Sequence, residues 1–217
     1  NLSSFEDREK LYKEWIEIIF QKAYHKTPMI ESSIGCTGNF IFESKNALNC
    51  FDIEKVEDSK FVDFSLGLKD TYSVYHVGVS SELMYESHAT VRSSKLIGVH
   101  LSYDNTSLTY CDSCHNSNEL FGCIGITKGS YMIFNKQYTK EEYFILKEKL
   151  IEHMKKTGEY GEFFPPELSP FSYNETQAQI YMPLTKEEAI SFGYKWKDDM
   201  PGTYGRETIK TEDLPDT

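Results

Sequence analysis

The chain lacks the features that mark secreted, membrane-spanning or nucleic-acid-binding proteins. It has no apolar run of about 18 residues or more, and its first residues, NLSSFEDREK, have neither the basic start nor the apolar core of a signal peptide. Basic residues are also scarce: 23 Lys and Arg stand against 34 Asp and Glu, a net charge of -11. Such a segment repels phosphate backbones and anionic membranes, so we expect a cytoplasmic chain that binds neither.

Cysteine is sparse as well, which excludes the disulfide framework of a small secreted domain. The five cysteines are an odd number spread over a long chain, and reduced thiols in a reducing compartment are the simpler interpretation. The chain starts at Asn1 rather than Met. We therefore expect a piece of a longer or processed protein.

A repeat of about 12 residues dominates the chain from Asn39 to Tyr138. In each unit a small polar residue and one or two charges precede several apolar or aromatic residues. The units centre on NFIF, NCFD, KFVD, SVYH, LMYE, KLIG, LTYC, ELFG and YMIF. A fixed spacing of this kind indicates a solenoid of short strands joined by tight turns.

The repeat predicts a mainly β fold, a parallel β-helix with helical caps at both ends. A coil of about 12 residues has little interior for Phe61, Tyr75, Met84, Phe121 and Met132, so we pair the units into coils of about 24 residues, roughly four turns. Each strand is then predicted to pair with the strand about 24 residues away. The chain lacks the hexapeptide pattern of left-handed helices, which favours a right-handed one.

Three helices are predicted outside the repeat. Ser3 or Ser4 starts an amphipathic helix that runs to Tyr24, which we expect to cap the first coil with Trp15 and Phe20. Thr139 opens a second helix through a capping box, and Gly158 ends it. A third runs from Thr185 to Gly193. The stretch rich in proline and aromatic residues between the last two helices is expected to pack on the solenoid flank.

These signals divide the chain into four parts. We predict a capping helix and lead-in at 1–35, a β-solenoid at 36–138, a helical cap with a proline and aromatic wrap at 139–196, and a polar tail at 197–217.

Three cysteines form the strongest candidate metal site. Cys111 and Cys114 make the motif CDSC, and Cys123 follows nine residues later, a spacing that suits zinc ligands, with His115 as another possible ligand. No second CxxC motif completes the site. Packed thiols at equivalent repeat positions and a redox pair are the alternatives.

The histidines of the repeat give a second candidate site. His76, His88 and His100 follow the repeat, and on a coil of about 24 residues His76 and His100 stack on one face while His88 lies on another. Such a pair near Asp63, Glu86 or Asp112 can bind metal or transfer protons, although repeats also place similar residues in similar positions without any chemistry.

Acidic residues on one strand face can also cleave polysaccharides, one as acid and one as base. The candidates are Asp52, Asp63, Asp70, Glu82 and Glu86. Acids are equally common in solenoid turns, where they keep the surface soluble.

Four stretches carry a resemblance to a known family. They are SSELMYES, CDSCHNSNELFGCIGI, SYMIFNKQYTKEEY and GEYGEFFPPELSPFSYNETQAQIYMPLTKEEAISFGYKW, between Ser80 and Trp196. On them the chain resembles a repeat domain and its helical cap in large uncharacterised zinc-ribbon-containing proteins of uncultured candidate-phylum bacteria. The resemblance implies a domain flanked by zinc-ribbon-like modules and supplies no catalytic residue. Only Cys111, Cys114 and Cys123 match the family's many cysteines.

The sequence therefore favours a non-catalytic solenoid scaffold that binds a protein or carbohydrate partner and needs no cofactor. One alternative is an enzyme acting on polysaccharide, a hydrolase or lyase, with Asp63, Glu86, His76 and His100 in its site. The other is a zinc-binding module that uses Cys111, Cys114 and Cys123.

Overall fold

The computed structural model describes residues 4–24, 28–200 and 208–209. The chain divides into two compact units, one of residues 28–165 and one that combines 1–27 with 166–217. Within the described residues, no helix has both the length and the apolar character needed to cross a membrane. The predicted polar tail at 197–217 falls mostly outside the described residues.

Residues 28–138 form the predicted parallel β-solenoid, with about nine turns. Its strands are β1 (Ile30–Glu31), β2 (Gly38–Phe42), β3 (Lys45–Leu48), β4 (Cys50–Glu54), β5 (Glu57–Leu66), β6 (Leu68–Tyr75), β7 (Ser81–Val91), β8 (Ser94–Ile97), β9 (His100–Tyr103), β10 (Thr106–Thr109), β11 (Asn118–Phe121), β12 (Ser130–Ile133) and β13 (Lys136–Gln137). The hand of the solenoid stays a prediction.

The predicted coil of about 24 residues is wrong, because each coil has only about 12 residues. Lys45 pairs with Glu57, Glu57 with Lys69, and Ser94 with Thr106, so every strand lies beside the strand one repeat away. The coil from Leu68 to Ser80 carries one extra residue, since Leu68 pairs with Ser81. Four turns therefore become about nine.

A coil this small closes because only every third residue points inward. The buried positions run Ser44, Ala47, Cys50, Ile53, Val56, Ser59, Val62, Ser65, Leu68 and onward to Cys123. Four inward residues per coil form four columns along the tube, and most are small, as a narrow interior requires. Phe61 and Tyr75, for which a wider coil was expected, point outward and are 43% and 50% exposed.

The chain turns at each corner through a residue in the left-handed backbone region. Phe61, Phe64 and His76 have φ angles of 55°, 48° and 55°, and each directly precedes an inward residue. Residues other than glycine seldom adopt this conformation, at about 1–2 kcal/mol each. The stacked coils hold them there through hydrogen bonds along both neighbouring coils.

Inward hydroxyls complete the hydrogen bonding of the tube. Ser93 Oγ donates to the Val91 carbonyl of its own coil at 2.9 Å and accepts from the Asn105 N–H of the next coil at 3.1 Å. The same pair of bonds recurs at Ser44, Ser59, Ser65, Ser102 and Ser117. Buried polar groups are tolerated here because each is fully paired.

A hairpin ends the parallel stack near the predicted position. β12 pairs antiparallel with β13 through Ile133 and Lys136, and Asn135 in the turn has a φ of 62°. The Gln137 side-chain amide then donates to the Ser130 carbonyl at 2.7 Å. The open edge of β12 in the last coil is thereby covered.

The second predicted helix is confirmed as α2 (Lys140–Thr157), with Thr139 as its N-cap in a capping box and Gly158 as its left-handed C-cap. It packs along the outward side of the last coils. The packed cluster contains Ile97, Tyr110, Phe121, Tyr131, Ile133, Tyr138, Tyr143, Leu146, Leu150, Ile151, Met154, Tyr160 and Phe164. Phe164, from the proline and aromatic stretch, thus packs on the solenoid as expected.

The other unit contains the remaining helices. α1 (Phe5–Glu17) is capped by Ser4 and continues as a π-helical turn, Ile18–Lys22, close to the predicted extent. None of its residues is buried, and its predicted capping role stays a prediction. Short 3₁₀ turns at Pro166–Leu168 and Tyr173–Glu175 precede α3 (Ala178–Tyr181) and α4 (Lys186–Ser191), the third predicted helix, capped by Thr185.

Candidate binding face

Two outward residues between successive inward columns form each side of the tube. One side carries most of the features that the sequence singled out, and we call it the acidic aromatic face. Its residues, two per coil, are Asn39 and Phe40, Phe51 and Asp52, Asp63 and Phe64, Tyr75 and His76, His88 and Ala89, His100 and Leu101, Asp112 and Ser113, and Ile124 and Gly125. With rungs about 4.8 Å apart, it is roughly 34 Å long.

This face exposes a contiguous row of apolar side chains. Phe51, Phe64 and Tyr75 are 49%, 56% and 50% exposed on three successive coils. Phe40 extends the row by one coil at its start. Leu101 and Ile124 are exposed on the same face, beyond the intervening coils of His88 and Asp112. Contiguous exposed apolar patches often mark interaction sites.

Aspartates alternate with the rings at the start of the face. Asp63 lies between Phe51 and Tyr75 in one column, and Asp52 lies beside it between Phe40 and Phe64 in the next. Burial raises the pKa of the Asp63 carboxyl above its ordinary value, and the negative charge of Asp52 raises that pKa further. No ion pair of either carboxylate occurs in the described part of the chain.

The predicted stacking of His76 on His100 is wrong. His88 stacks on His100, with ring centroids 5.0 Å apart and planes within 13°, and Tyr75 stacks on the other side of His88 at 5.2 Å. Coil length explains the difference, because residues 24 apart lie two coils apart and cannot stack directly. The extra residue in the coil from Leu68 to Ser80 places Tyr75 rather than His76 beside His88, and His76 lies in the neighbouring column, where it contacts Phe64 edge-on at 5.0 Å.

The histidine stack is polar at one end. His100 Nδ1 lies 3.0 Å from Asp112 Oδ1, which also accepts a hydrogen bond from Ser113 Oγ at 3.1 Å. Burial lowers the pKa of His88, and the neighbouring His100 and His76 lower that pKa further. The surroundings of His88, which lies between two rings, therefore favour its neutral form over its charged form.

The remaining candidate acids do not join this face. Glu86 lies on the next side of the tube, past the inward Ser87, in a column with Ser73. Glu82 and Asp70 lie on a third side, where Glu82 is in register with Lys69. The predicted pairing of Asp63 with Glu86 as acid and base therefore lacks its geometry, because the two point from different sides.

The three candidate zinc ligands point into the tube. Cys111, Cys114 and Cys123 are fully buried, and their Sγ atoms contact backbone carbonyls of Thr109, Asp112 and Phe121 at 3.3 to 3.5 Å, as the inward serines do. Hydrogen bonds with the other two thiols, together with burial, raise the pKa of the Cys111 thiol.

The three thiols are not shifted alike, because a hydrogen bond with Cys111 lowers the pKa of the Cys114 thiol and lowers that of the Cys123 thiol to about 7. Among the residues that the structure describes, no three or more His, Cys, Asp or Glu side chains are placed to hold a metal ion. The cysteines act instead as inward packing residues, the alternative that equivalent repeat positions suggested.

The acidic aromatic face differs from the other sides in its charge. One side carries Lys45, Glu57, Lys69 and Glu82 in register, an alternating row. Another carries the bidentate pair of Arg92 with Asp104, at 2.6 and 2.8 Å. The acidic aromatic face has no Lys or Arg on any of its eight coils.

Sequence reasoning missed the aromatic members of this face. Phe51, Asp63 and Tyr75 are spaced at the repeat length and pair directly. That spacing was readable, but a coil of double length assigned them to alternating sides.

No protein-family model matches the chain, and no curated protein matches it. Among solved structures, it is similar to a mutant of perosamine N-acetyltransferase from Caulobacter crescentus in complex with CoA and GDP-perosamine, at 11% identity and a TM-score of 0.15. The match covers 60% of this chain and 61% of that one, about three fifths of its length. A likeness this weak bears on neither fold nor function.

Proposed function

We propose that this chain is a non-catalytic solenoid domain that holds a protein or carbohydrate partner on its acidic aromatic face. The observation that carries the proposal is the exposed row of Phe51, Phe64 and Tyr75 on successive coils. Because every coil is hydrogen-bonded to the next, the row is held rigid before binding, and little ordering free energy is lost when a partner docks.

Another outward row of the solenoid is already covered by a helix of the same chain. On the adjacent side, the outward residues Tyr110, Phe121 and Ile133 are buried because Tyr143 and its neighbours on α2 cover them. The acidic aromatic face presents a similar row without such a cover from unit 28–165.

The proposal places the domain inside a larger cytoplasmic protein, in line with the resemblance of residues 80–196 to zinc-ribbon-containing proteins. Nucleic acid is an unfavourable ligand for this segment, since its net charge is -11. The scaffold would present its partner to the modules joined to it.

Binding to glycan and peptide arrays tests the proposal. We expect the wild-type chain to bind at least one ligand class, and Phe51→Ser with Phe64→Ser to weaken that binding about tenfold or more. The matched control is Leu48→Ser with Phe61→Ser, which removes side chains of similar exposure, 43% each, from the adjacent side.

Three results would overturn the proposal. The first two concern binding: equal loss of binding in both double variants, and no binding of the wild-type chain to any ligand. The third is release of reducing ends from a polysaccharide by the wild-type chain that Asp63→Asn abolishes, since this would make the domain an enzyme.

A further inference from the structure

The partner's chemistry follows from the arrangement of charge and rings at the start of the acidic aromatic face. Asp52 and Asp63 lie diagonally, one coil and one residue apart, and the rings of Phe51 and Phe64 occupy the other diagonal. A cation placed here meets a carboxylate and an aromatic side chain at once, the combination that best recognises ammonium and guanidinium groups.

On the described solenoid, no Lys or Arg of the chain pairs with these two aspartates. Elsewhere on the described solenoid, one lysine lies beside a carboxylate and another over a ring: Lys55 Nζ lies 2.8 Å from Glu54 Oε1, and Lys60 Nζ lies 4.6 Å from the Phe61 ring centroid. The face itself contributes no Lys or Arg across its eight coils. Charge complementarity therefore points to a cationic partner.

We propose that the acidic aromatic face binds an extended, basic segment of a partner polypeptide, with Lys or Arg side chains inserted between Asp52, Asp63 and their neighbouring rings. The proposal rests on the binding function above and names its partner.

The spacing of the face favours an extended segment. A step of one coil and one residue separates the two aspartate backbones by roughly 6 Å, and alternate residues of an extended chain lie about 6.8 Å apart. Two basic residues at alternate positions of a strand can therefore reach both carboxylates. Beyond them, the edges of Tyr75, His88 and His100 offer further contacts along the same line.

Fluorescence anisotropy with labelled peptides of about ten residues, roughly 33 Å when extended, tests the proposal. The probes are a peptide of alternating Lys and Thr, one of alternating Glu and Thr, one of alternating Ser and Thr, and a neutral chitin oligosaccharide. We expect the Lys peptide to bind at least about tenfold more tightly than the others, and more weakly as salt rises.

Matched variants separate local recognition from net charge. Asp52→Asn with Asp63→Asn should weaken Lys-peptide binding about tenfold or more. Glu57→Gln with Glu82→Gln removes the same charge from another side and should change it less than about twofold. Circular dichroism establishes that both variants are folded.

Three results overturn this inference. They are equal weakening in both double variants, equal binding of the Glu peptide, and binding of the neutral peptide or the oligosaccharide in preference to the Lys peptide. If Phe51→Ser with Phe64→Ser abolishes binding of such a neutral ligand, the proposed function stands while the basic partner is rejected.

Discussion

At the scale of single residues, the corners of the solenoid show whether a glycine is present for its backbone conformation or for its lack of a side chain. Glu86, Gly98, Tyr110, Gly122 and Phe134 follow one another in a single outward column, and all have positive φ. Since Glu86 and Tyr110 tolerate the left-handed backbone, conformational freedom does not explain the two glycines. A Cβ on Gly98 would lie 2.8 Å from the Tyr110 ring, so the lack of space for a side chain explains this glycine.

Gly98→Ala should therefore cost far more than the same change at another corner. Gly125 has a φ of 68°, and a Cβ there meets nothing within 4 Å. We expect Gly125→Ala to lower the free energy of unfolding by about 1 kcal/mol, the cost of the backbone conformation alone. Gly98→Ala should lose about 2 kcal/mol more, because the ring must move. Urea unfolding measures both, and equal losses would contradict the steric explanation.

The histidine stack predicts a dependence of stability on pH. The pKa of His88 is lowered in the folded chain, so the unfolded chain binds the proton more readily. The contribution of neutral His88 to the free energy of unfolding is then fully present above the ordinary histidine pKa of about 6.5. It is lost as the pH falls from there through the lowered pKa of the folded chain. Protonation would also place a charge against His100 and His76.

His88→Gln should reduce this dependence. Between about pH 8 and pH 5.5, the free energy of unfolding should fall less in the variant than in the wild-type chain. Urea unfolding across that range is the measurement. Parallel curves for the two chains would show that other groups cause the loss.

Candidate residues were harder to place from sequence than to find. His88, His100 and Asp63 are all on the acidic aromatic face, yet their neighbours depend on coil length and on one inserted residue. Cys111 and Cys123 were assigned to equivalent positions correctly, because that comparison needs only the repeat. Which way they point depends on the period of three within each coil, because every third residue faces the interior.

At the scale of elements, the helices were predictable because their signals are local. Thr139, Glu142 and Gly158 specify both ends of α2 from within the helix itself. The coil size was not predictable from local signals, because closing a narrow tube requires left-handed corners at Phe61, Phe64 and similar residues. The local preferences of those side chains do not predict that conformation, because it is imposed by the stacked coils as a whole.

The segment after α2 is tied to the solenoid by one phenol. Tyr110 OH accepts from the Gly161 N–H at 2.7 Å and donates to the Glu159 carbonyl at 3.2 Å. Tyr110→Phe should speed hydrogen exchange of the Gly161 amide and lower stability by about 0.5–1.5 kcal/mol. Tyr103→Phe, on another side, is the control. Unchanged exchange at Gly161 would mean that packing alone holds this segment.

At the scale of the whole molecule, the coil length makes stability a sum of similar layers. Ser44 and Val56 occupy equivalent inward positions in successive coils, 12 residues apart. In such a stack each layer contacts only its neighbours, so removing one complete layer preserves the contacts between the rest.

Deleting residues 45–56 should therefore be milder than deleting 45–50, although it removes more of the chain. We expect the complete-coil deletion to lower Tm by less than about 10 °C. The half-coil deletion should lower it by more than about 20 °C, because the remaining half must leave the stack. Thermal unfolding, monitored by circular dichroism, measures the two Tm values. A larger loss of Tm for the complete-coil deletion than for the half-coil deletion would show that coils are not interchangeable.

The hairpin that ends the stack also sets a direction for assembly. A protein built of parallel rungs can polymerise end to end only if each copy offers a free strand at both ends. β13 runs antiparallel against β12 and occupies the positions beside Met132 and Ile133 that a strand of a further coil would need. A further coil could stack on this end only by displacing β13, so the hairpin opposes end-to-end growth there.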